Sequence, residues 1–433
     1  MILMFSVENW RSFREKVTLN MTATAEKQHS ERLPIIDKYR LKVLPTAALY
    51  GANGSGKTKF IEALAFFQNL VLNGTKNQSQ KIPLQRFKLE SDYLNKPSKF
   101  SIDVLIEGLI YTYEVSLLPE KILEERLTVQ NSNTAYDVFT RVDGQPFEYD
   151  EDYFKKEQID FLNFIAKATR SNQLFLTNAV QLNMEDLRPL YEWFETKLTV
   201  ITPNSEFIFI QRYADPNDVL SEESTQLMRM LGTGIDHFVT KKQSESNQDF
   251  SSTVPKEWLD VVKQGIRHSN DVLRVNDLIV RKENDELIFE KLLAVHKNRN
   301  GEDIVFLLNE ESDGTRRILD LIPAFASLKK GRDVVFVIDE LDRSFHTQLL
   351  EWLLKYFLDT CNTTTRGQLI FTTHDVNILT QDIFRRDELW GVDKNSDGSS
   401  TLYSFRDFKN IRRDKDIRKT YLNGLLGAVP VII

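Results

Sequence analysis

Gly51-Ala52-Asn53-Gly54-Ser55-Gly56-Lys57-Thr58 follows the apolar run Ala47-Ala48-Leu49-Tyr50 and precedes Lys59-Phe60-Ile61. This is G-x-x-x-x-G-K-[ST] between a buried strand and an amphipathic helix. Gly51, Gly54 and Gly56 let successive backbone N–H groups, with those of Asn53 and Ser55, turn inward around a phosphate. The helix that follows aims its positive end at the same anion. Lys57 is expected to neutralise the β- and γ-phosphates, and Thr58 to offer its hydroxyl to Mg²⁺. The stretch asks for a nucleoside triphosphate. What is done with it has to come from elsewhere.

The chain of 433 residues has room for two or three structural units with ample core. Its 41% hydrophobic and 27% charged content is that of a soluble globular protein. No apolar run approaches the ~20 residues that span a bilayer, so no membrane association is expected. Met1-Ile2-Leu3-Met4 offers no basic segment or cleavage site, and no signal peptide is expected. One cysteine, Cys361, rules out an internal disulfide and a cysteine-based metal cluster, which fits a reducing cytoplasm. A net charge of −7 argues against a surface that grips DNA throughout, while leaving a local patch open.

Outward from the loop, residues 3–7 and 16–20 read as two strands around the turn-like Glu8-Asn9-Trp10-Arg11-Ser12-Phe13. The helix after the loop should run to about residue 72, where Asn73-Gly74 stops it. Residues 100–142 are β-like, with a hairpin expected at Glu107-Gly108. From 151 to 197 the pattern is helical, and Phe161, Phe164, Trp193 and Phe194 are expected to face the core. Residues 221–231 look helical, 241–252 loop-like, and 278–295 carry two short strands. The last third is expected to alternate: a helix from Ser312-Asp313-Gly314, a strand at 334–338, a helix at 346–358 and a strand at 368–371. Such alternation indicates a doubly wound α/β core.

The second half of the site starts at Asp339-Glu340, which ends the apolar run Val334-Val335-Phe336-Val337-Ile338. An uninterrupted run suits a parallel strand buried on both faces, and the acids then sit at its ligand-binding edge. Asp339 is read as the Mg²⁺ carboxylate and Glu340 as the base that polarises the attacking water. His374, in Thr372-Thr373-His374-Asp375, is expected on the neighbouring strand and is read as a γ-phosphate contact. Ser312 by itself is a helix N-cap. Asp339 follows Lys57 at a separation far greater than hexameric motor ATPases or small GTPases place between these motifs.

That wide spacing resembles the ABC/SMC clade, in which the γ-phosphate is sandwiched at a dimer interface. The resemblance implies that Ser312 and Gly314 form a signature loop facing a partner's nucleotide, and that Asp342 is the D-loop aspartate. It also implies an ABC/SMC-type P-loop ATPase fold with a β-rich lobe and an inserted helical or mixed lid. The corresponding regions are 1–180, 181–300 and 301–433. Phe5-Ser6-Val7-Glu8-Asn9-Trp10-Arg11-Ser12-Phe13 is similar to the opening hairpin of RecF-like and SMC-like ATPases. Glu310-Glu311-Ser312-Asp313-Gly314-Thr315-Arg316-Arg317, Ile338-Asp339-Glu340-Leu341-Asp342-Arg343-Ser344-Phe345-His346 and Phe371-Thr372-Thr373-His374-Asp375 narrow the match. With the tail Tyr421-Leu422-Asn423-Gly424-Leu425-Leu426-Gly427-Ala428-Val429-Pro430, they resemble stand-alone bacterial ATP-binding proteins of phage-defence and abortive-infection systems. ATPase subunits of PARIS-type defence belong to that family, and OLD-like enzymes are related to it. The match covers both ends of the chain well and residues 180–300 poorly.

The resemblance implies ATP and Mg²⁺ as cofactors, at least a homodimer, an effector partner such as a TOPRIM nuclease, and a phage-encoded trigger. Too few residues follow His374 for a TOPRIM domain, so no nuclease activity of the chain's own is expected. Two departures stand out. Asp313 replaces the glycine of transporter-type signatures, and no residue is identified as the Q-loop glutamine, Gln173 and Gln181 being candidates only. Arg406, Lys409, Arg412, Arg413, Lys415, Arg418 and Lys419 make a basic segment that is either a solvated or subunit-contacting face, or a nucleic-acid contact. The resemblance implies an ATP-hydrolysing switch that controls the effector of a defence complex; a RecF-like DNA-binding ATPase of repair or maintenance is the alternative, and a scaffold that barely turns ATP over is a third reading.

Overall fold

A computed structural model describes residues 1–202, 222–243, 272–275, 277–283, 286–408 and 416–429. Most of the polar stretch expected at 241–252 lies outside them, as do Lys409, Arg412, Arg413, Lys415 and Pro430. The chain divides into two compact units: Met1–Thr202 with Asp333–Leu341 and Leu358–Ile433, and Pro203–Arg332 with Asp342–Phe357. The region expected as the last lobe, 301–433, is thus shared between them.

The first unit is built on a six-stranded sheet in the order Leu198–Ile201, Val335–Ile338, Gln368–Thr372, Thr46–Tyr50, Leu389–Lys394, Ser400–Ser404. The first five strands run parallel, and the last turns back antiparallel. Thr46–Tyr50, Val335–Ile338 and Gln368–Thr372 are buried along their whole length, which explains their near-continuous apolar composition. The strand leading to His374 lies between the phosphate-loop strand and the carboxylate strand, with Ile338 opposite Phe371 and Phe371 opposite Ala48. Because these strands are parallel, the loop, the acids and the histidine leave the sheet at one edge. This is a P-loop α/β core with a β-rich lobe, the fold class expected from the sequence.

That lobe is a seven-stranded antiparallel sheet in the order Glu148–Tyr149, Ala135–Val142, Lys121–Gln130, Leu109–Leu118, Ser98–Ile106, Ile2–Glu8, Val17–Asn20. Glu107 and Gly108 both have positive φ, 48° and 77°, as a two-residue hairpin turn of the primed type requires. The phosphate-loop helix Lys57–Asn73 joins the lobe's core through Phe67, which stacks on Phe100 and Tyr113 and meets Phe194 edge-on. It ends at Gly74, whose φ is 56°.

The aromatic expectation for 151–197 needs a correction. Trp193 and Phe194 are buried, but Phe161 and Phe164 are 41% and 62% exposed. Helix Lys156–Ala168 buries Leu162 and Ile165 instead. These sit one position on from the two phenylalanines, about 100° around the helix, so both aromatics rotate into solvent.

The second unit contains an antiparallel sheet of Ile235–Gln243, Glu286–Lys297, Leu278–Glu283 and Val272–Val275, with Asp303–Leu307 paired to Glu286–Lys297. Helices Glu222–Met230 and Asp313–Lys329, and helix Thr347–Leu358 up to Phe357, belong to it. Leu227, Met228, Ile235, Phe238, Leu292, Ile318, Leu319 and Ile322 form its core. Pro323 lies inside helix Asp313–Lys329, where it removes one backbone donor.

Candidate nucleotide-binding site

The phosphate loop is pressed between two neighbours. A Cβ on Gly51 would lie 2.4 Å from the Val392 carbonyl oxygen, and one on Gly56 would lie 2.7 Å from Ser400 Oγ and 2.9 Å from Ser12 Oγ. Gly56 also has a φ of 120°, so it is fixed by backbone conformation and by space. Ser400 donates its hydroxyl to the Ser55 carbonyl at 2.5 Å and its N–H to the Ser12 carbonyl at 2.7 Å. The helix that opens at Lys57 has no side-chain cap, so its first N–H groups face the loop. The buried Lys57 ammonium bonds the Gly51 and Ala52 carbonyls at 2.7 and 3.1 Å, which holds its charge over the same loop.

The N-terminal hairpin is tied to this helix. Trp10 and Phe13 exchange backbone hydrogen bonds of 2.8 and 2.7 Å, and Trp10 Nε1 donates to the Lys59 carbonyl at 3.0 Å. The Asn9 side chain accepts from Phe87 N–H and donates to the Tyr93 and Lys96 carbonyls, fastening the hairpin to the segment before the β-rich lobe. Arg11 and Ser12 are thereby delivered to the nucleotide cleft. Sequence spacing pointed to neither these two residues nor Ser400.

Asp339 is fully buried. Its Oδ1 accepts a 2.5 Å hydrogen bond from the Thr372 hydroxyl, and its Oδ2 has no partner. Glu340 follows with a φ of 51°, a left-handed conformation that costs a non-glycine residue on the order of 1–3 kcal/mol. Its N–H donates to Thr372 Oγ1 at 2.7 Å. The flanking backbone is fixed by Asp339 N–H on the Ile201 carbonyl (2.8 Å) and Leu341 N–H on the Thr372 carbonyl (3.0 Å). A cleft of about 710 Å³ is lined by Lys57, Thr58, Glu340, His374, Arg11 and Lys394, among others. The first unit therefore gathers residues 51–58, Asp339, Glu340 and the exposed His374 at one sheet edge.

Phosphate and a divalent cation both fit these residues. The Lys57 ammonium held over the loop suits a phosphate, and Asp339 Oδ2 is a hard oxygen in want of a partner. Among the described residues no group of three or more His, Cys, Asp or Glu could hold a metal alone.

Ser312, Gly314 and Asp342 belong to the second unit. Ser312 caps helix Asp313–Lys329 by accepting from Thr315 N–H at 3.1 Å, with its Oγ 2.8 Å from Thr315 Oγ1. Asp313 pairs with Arg316 one turn on. A Cβ on Gly314 would meet the Ser344 carbonyl at 3.0 Å, so a close backbone approach explains that glycine. The Asp342 carbonyl accepts from Phe345 N–H at 3.1 Å. Neither Gln173 nor Gln181 lines the cleft; Gln173 is buried against Asn178, and its carbonyl accepts from Arg141.

The sequence model of the family described as "AAA domain, putative AbiEii toxin, Type IV TA system" matches residues 47–380. No curated protein matches the chain. Among solved structures it is similar to an SMC head domain from Thermotoga maritima, 13% identical, with a TM-score of 0.38 over 93% of this chain and 98% of that one. It is also similar to an Smc head bound to the C-terminal winged-helix domain of ScpA, at 12% identity and a TM-score of 0.41 over 93% and 97% of the two chains. A Pyrococcus furiosus Smc head with an extended coiled coil, bound to the C-terminal domain of ScpA, gives 12%, 0.39, and 97% of both.

Proposed function

We propose a function from one premise: this chain belongs to the AAA-domain family whose model spans residues 47–380. On that premise it is an ATPase that binds ATP with Mg²⁺ at residues 51–58 and hydrolyses it. The observation that carries the reading is the cleft in which Lys57, Thr58, Glu340 and His374 meet beside the unpartnered Asp339 Oδ2. Lys57 and the open helix N-terminus hold the phosphates; Thr58 and Asp339 would hold the Mg²⁺ ion, which when bound would draw charge off the γ-phosphate. Glu340 takes a proton from the attacking water, and His374 steadies the γ-phosphate.

The switch reading goes further. ATP bound at Lys57 of one protomer meets Ser312 and Gly314 of another, with Asp342 beside them, and hydrolysis releases the assembly. The output is control of a partner effector, a TOPRIM-type nuclease being the first candidate, in an abortive-infection response like that of PARIS-type systems. A phage-encoded trigger starts it, in the cytoplasm. No helix among the described residues is long and apolar enough to cross a membrane.

The test is Glu340→Gln beside Lys57→Ala. Glu340→Gln should lower ATP turnover by roughly 10²–10⁴-fold while nucleotide binding persists. Lys57→Ala should lose binding itself. Turnover at the wild-type rate in Glu340→Gln removes Glu340 as the base.

A further inference from the structure

Thr372 ends the strand Gln368–Thr372, fully buried, with its hydroxyl placed between the Asp339 carboxylate and the Glu340 backbone N–H. The polarity of its two hydrogen bonds is unambiguous. A backbone N–H can only donate, so the Thr372 oxygen accepts from Glu340 at 2.7 Å. The single hydroxyl proton is then given to Asp339 Oδ1, 2.5 Å away. One side chain thus closes two constraints. It fixes the Asp339 carboxylate about its last torsion with Oδ2 turned away from Thr372 and unpartnered. It also holds the peptide that leads into the left-handed Glu340, the conformation that sets where the Glu340 side chain starts. The same strand end anchors the next residue, since the Thr372 carbonyl accepts from Leu341 N–H at 3.0 Å.

We propose that Thr372 is the positioning residue of this site. It presents Asp339 Oδ2 to the divalent ion and sets Glu340 relative to it, so that metal carboxylate and base move as one unit. The proposal rests on the reading of the cleft as an ATP–Mg²⁺ site. A hydroxyl is needed and a shape is not: valine would fill the same space, leave Asp339 Oδ1 without its donor and leave Glu340 N–H without its acceptor.

The test is binding of a fluorescent ATP analogue to the full chain with Mg²⁺ and with EDTA, beside single-turnover ATP hydrolysis. Thr372→Val should bind the analogue in EDTA as the wild type does. It should lose most of the affinity gained on adding Mg²⁺, and hydrolyse at least about ten-fold more slowly. Thr372→Ser keeps the hydroxyl and should restore both. Wild-type Mg²⁺ enhancement and turnover in Thr372→Val overturns the proposal. So does a Thr372→Ser variant that lacks the enhancement, because the methyl would then be what matters; this arm holds even where Thr372→Val does not fold. Analogue binding that Lys57→Ala leaves intact, or that Mg²⁺ does not enhance in the wild type, sinks the reading of the site itself.

Discussion

Glu388 shows how much chemistry in this chain lies away from the cleft. Its carboxylate accepts from the Arg32 guanidinium at 2.7 Å and from the Arg385 N–H at 2.8 Å, while its other oxygen has no partner. Full burial pushes this carboxyl up to about 7, against the pull of Arg32. Because the folded value lies above the unfolded one, this group's contribution to stability is fully present below the unfolded value and is lost as pH rises through about 7. Urea unfolding should therefore show a stability loss of up to about 3 kcal/mol from this group between about pH 4.5 and 7. Glu388→Gln should flatten that slope. An unchanged slope would place the pH dependence elsewhere. At this scale the sequence was legible where chemistry is contiguous, as in Asp339-Glu340 after five apolar residues. It was opaque at Ser12, Ser400 and Thr372, ordinary hydroxyls until the fold closes them on Gly56, Ser55 and Asp339.

Elements in this chain are completed by other elements. Helix Phe175–Gln181 is short and has no side-chain cap of its own at Leu174. Its first turn is instead held by buried Glu125, from strand Lys121–Gln130, which accepts from Phe175 and Leu176 N–H at 2.7 and 2.9 Å. Tyr113 donates to the same carboxylate at 2.8 Å and Arg141 pairs with it at 3.4 Å. Burial, the nearby charge of Glu125 and that hydrogen bond hold the Tyr113 phenol well above its ordinary range. Glu125→Ala should cost about 3–5 kcal/mol in denaturant unfolding by stranding Arg141 and the helix amides. Nucleotide affinity measured well below the transition should change little. A cost under about 1 kcal/mol would mean water replaces the carboxylate. Periodicity predicted that a helical region exists here. It could not supply the cap, because the capping residue lies on a strand of another sheet-forming segment. The same limit explains Phe161 and Phe164: their spacing is helical, but the direction of the packed face is set by what Leu162 and Ile165 meet.

At the scale of the whole molecule, Lys57, Glu340 and His374 belong to one compact unit and Ser312, Gly314 and Asp342 to the other. The proposed switch predicts that Glu340→Gln with ATP and Mg²⁺ about doubles its mass in light scattering, or more, relative to the nucleotide-free protein. Adding Ser312→Arg should abolish that growth while leaving ATP binding intact, since the hydroxyl and its helix N-terminus would be blocked. Equal mass with and without ATP would remove nucleotide from the control of assembly and leave the ATPase reading standing.

The sequence by itself determined the parts that local physics encodes. Glycines at 51, 54 and 56, a strand before them and a helix after them suffice to specify a phosphate loop. Apolar runs ending in Asp339-Glu340 and Thr372-Thr373-His374 suffice to specify buried parallel strands with acids and a histidine at their tips. Only the tertiary structure decided that the histidine strand lies between the other two, that Thr372 bonds both the Asp339 carboxylate and the Glu340 N–H, and that Ser12 and Ser400 close over Gly56. Those contacts join residues far apart in the chain. They come into being when burial of the sheet's apolar faces brings the strand ends together, and no periodicity along the sequence carries them.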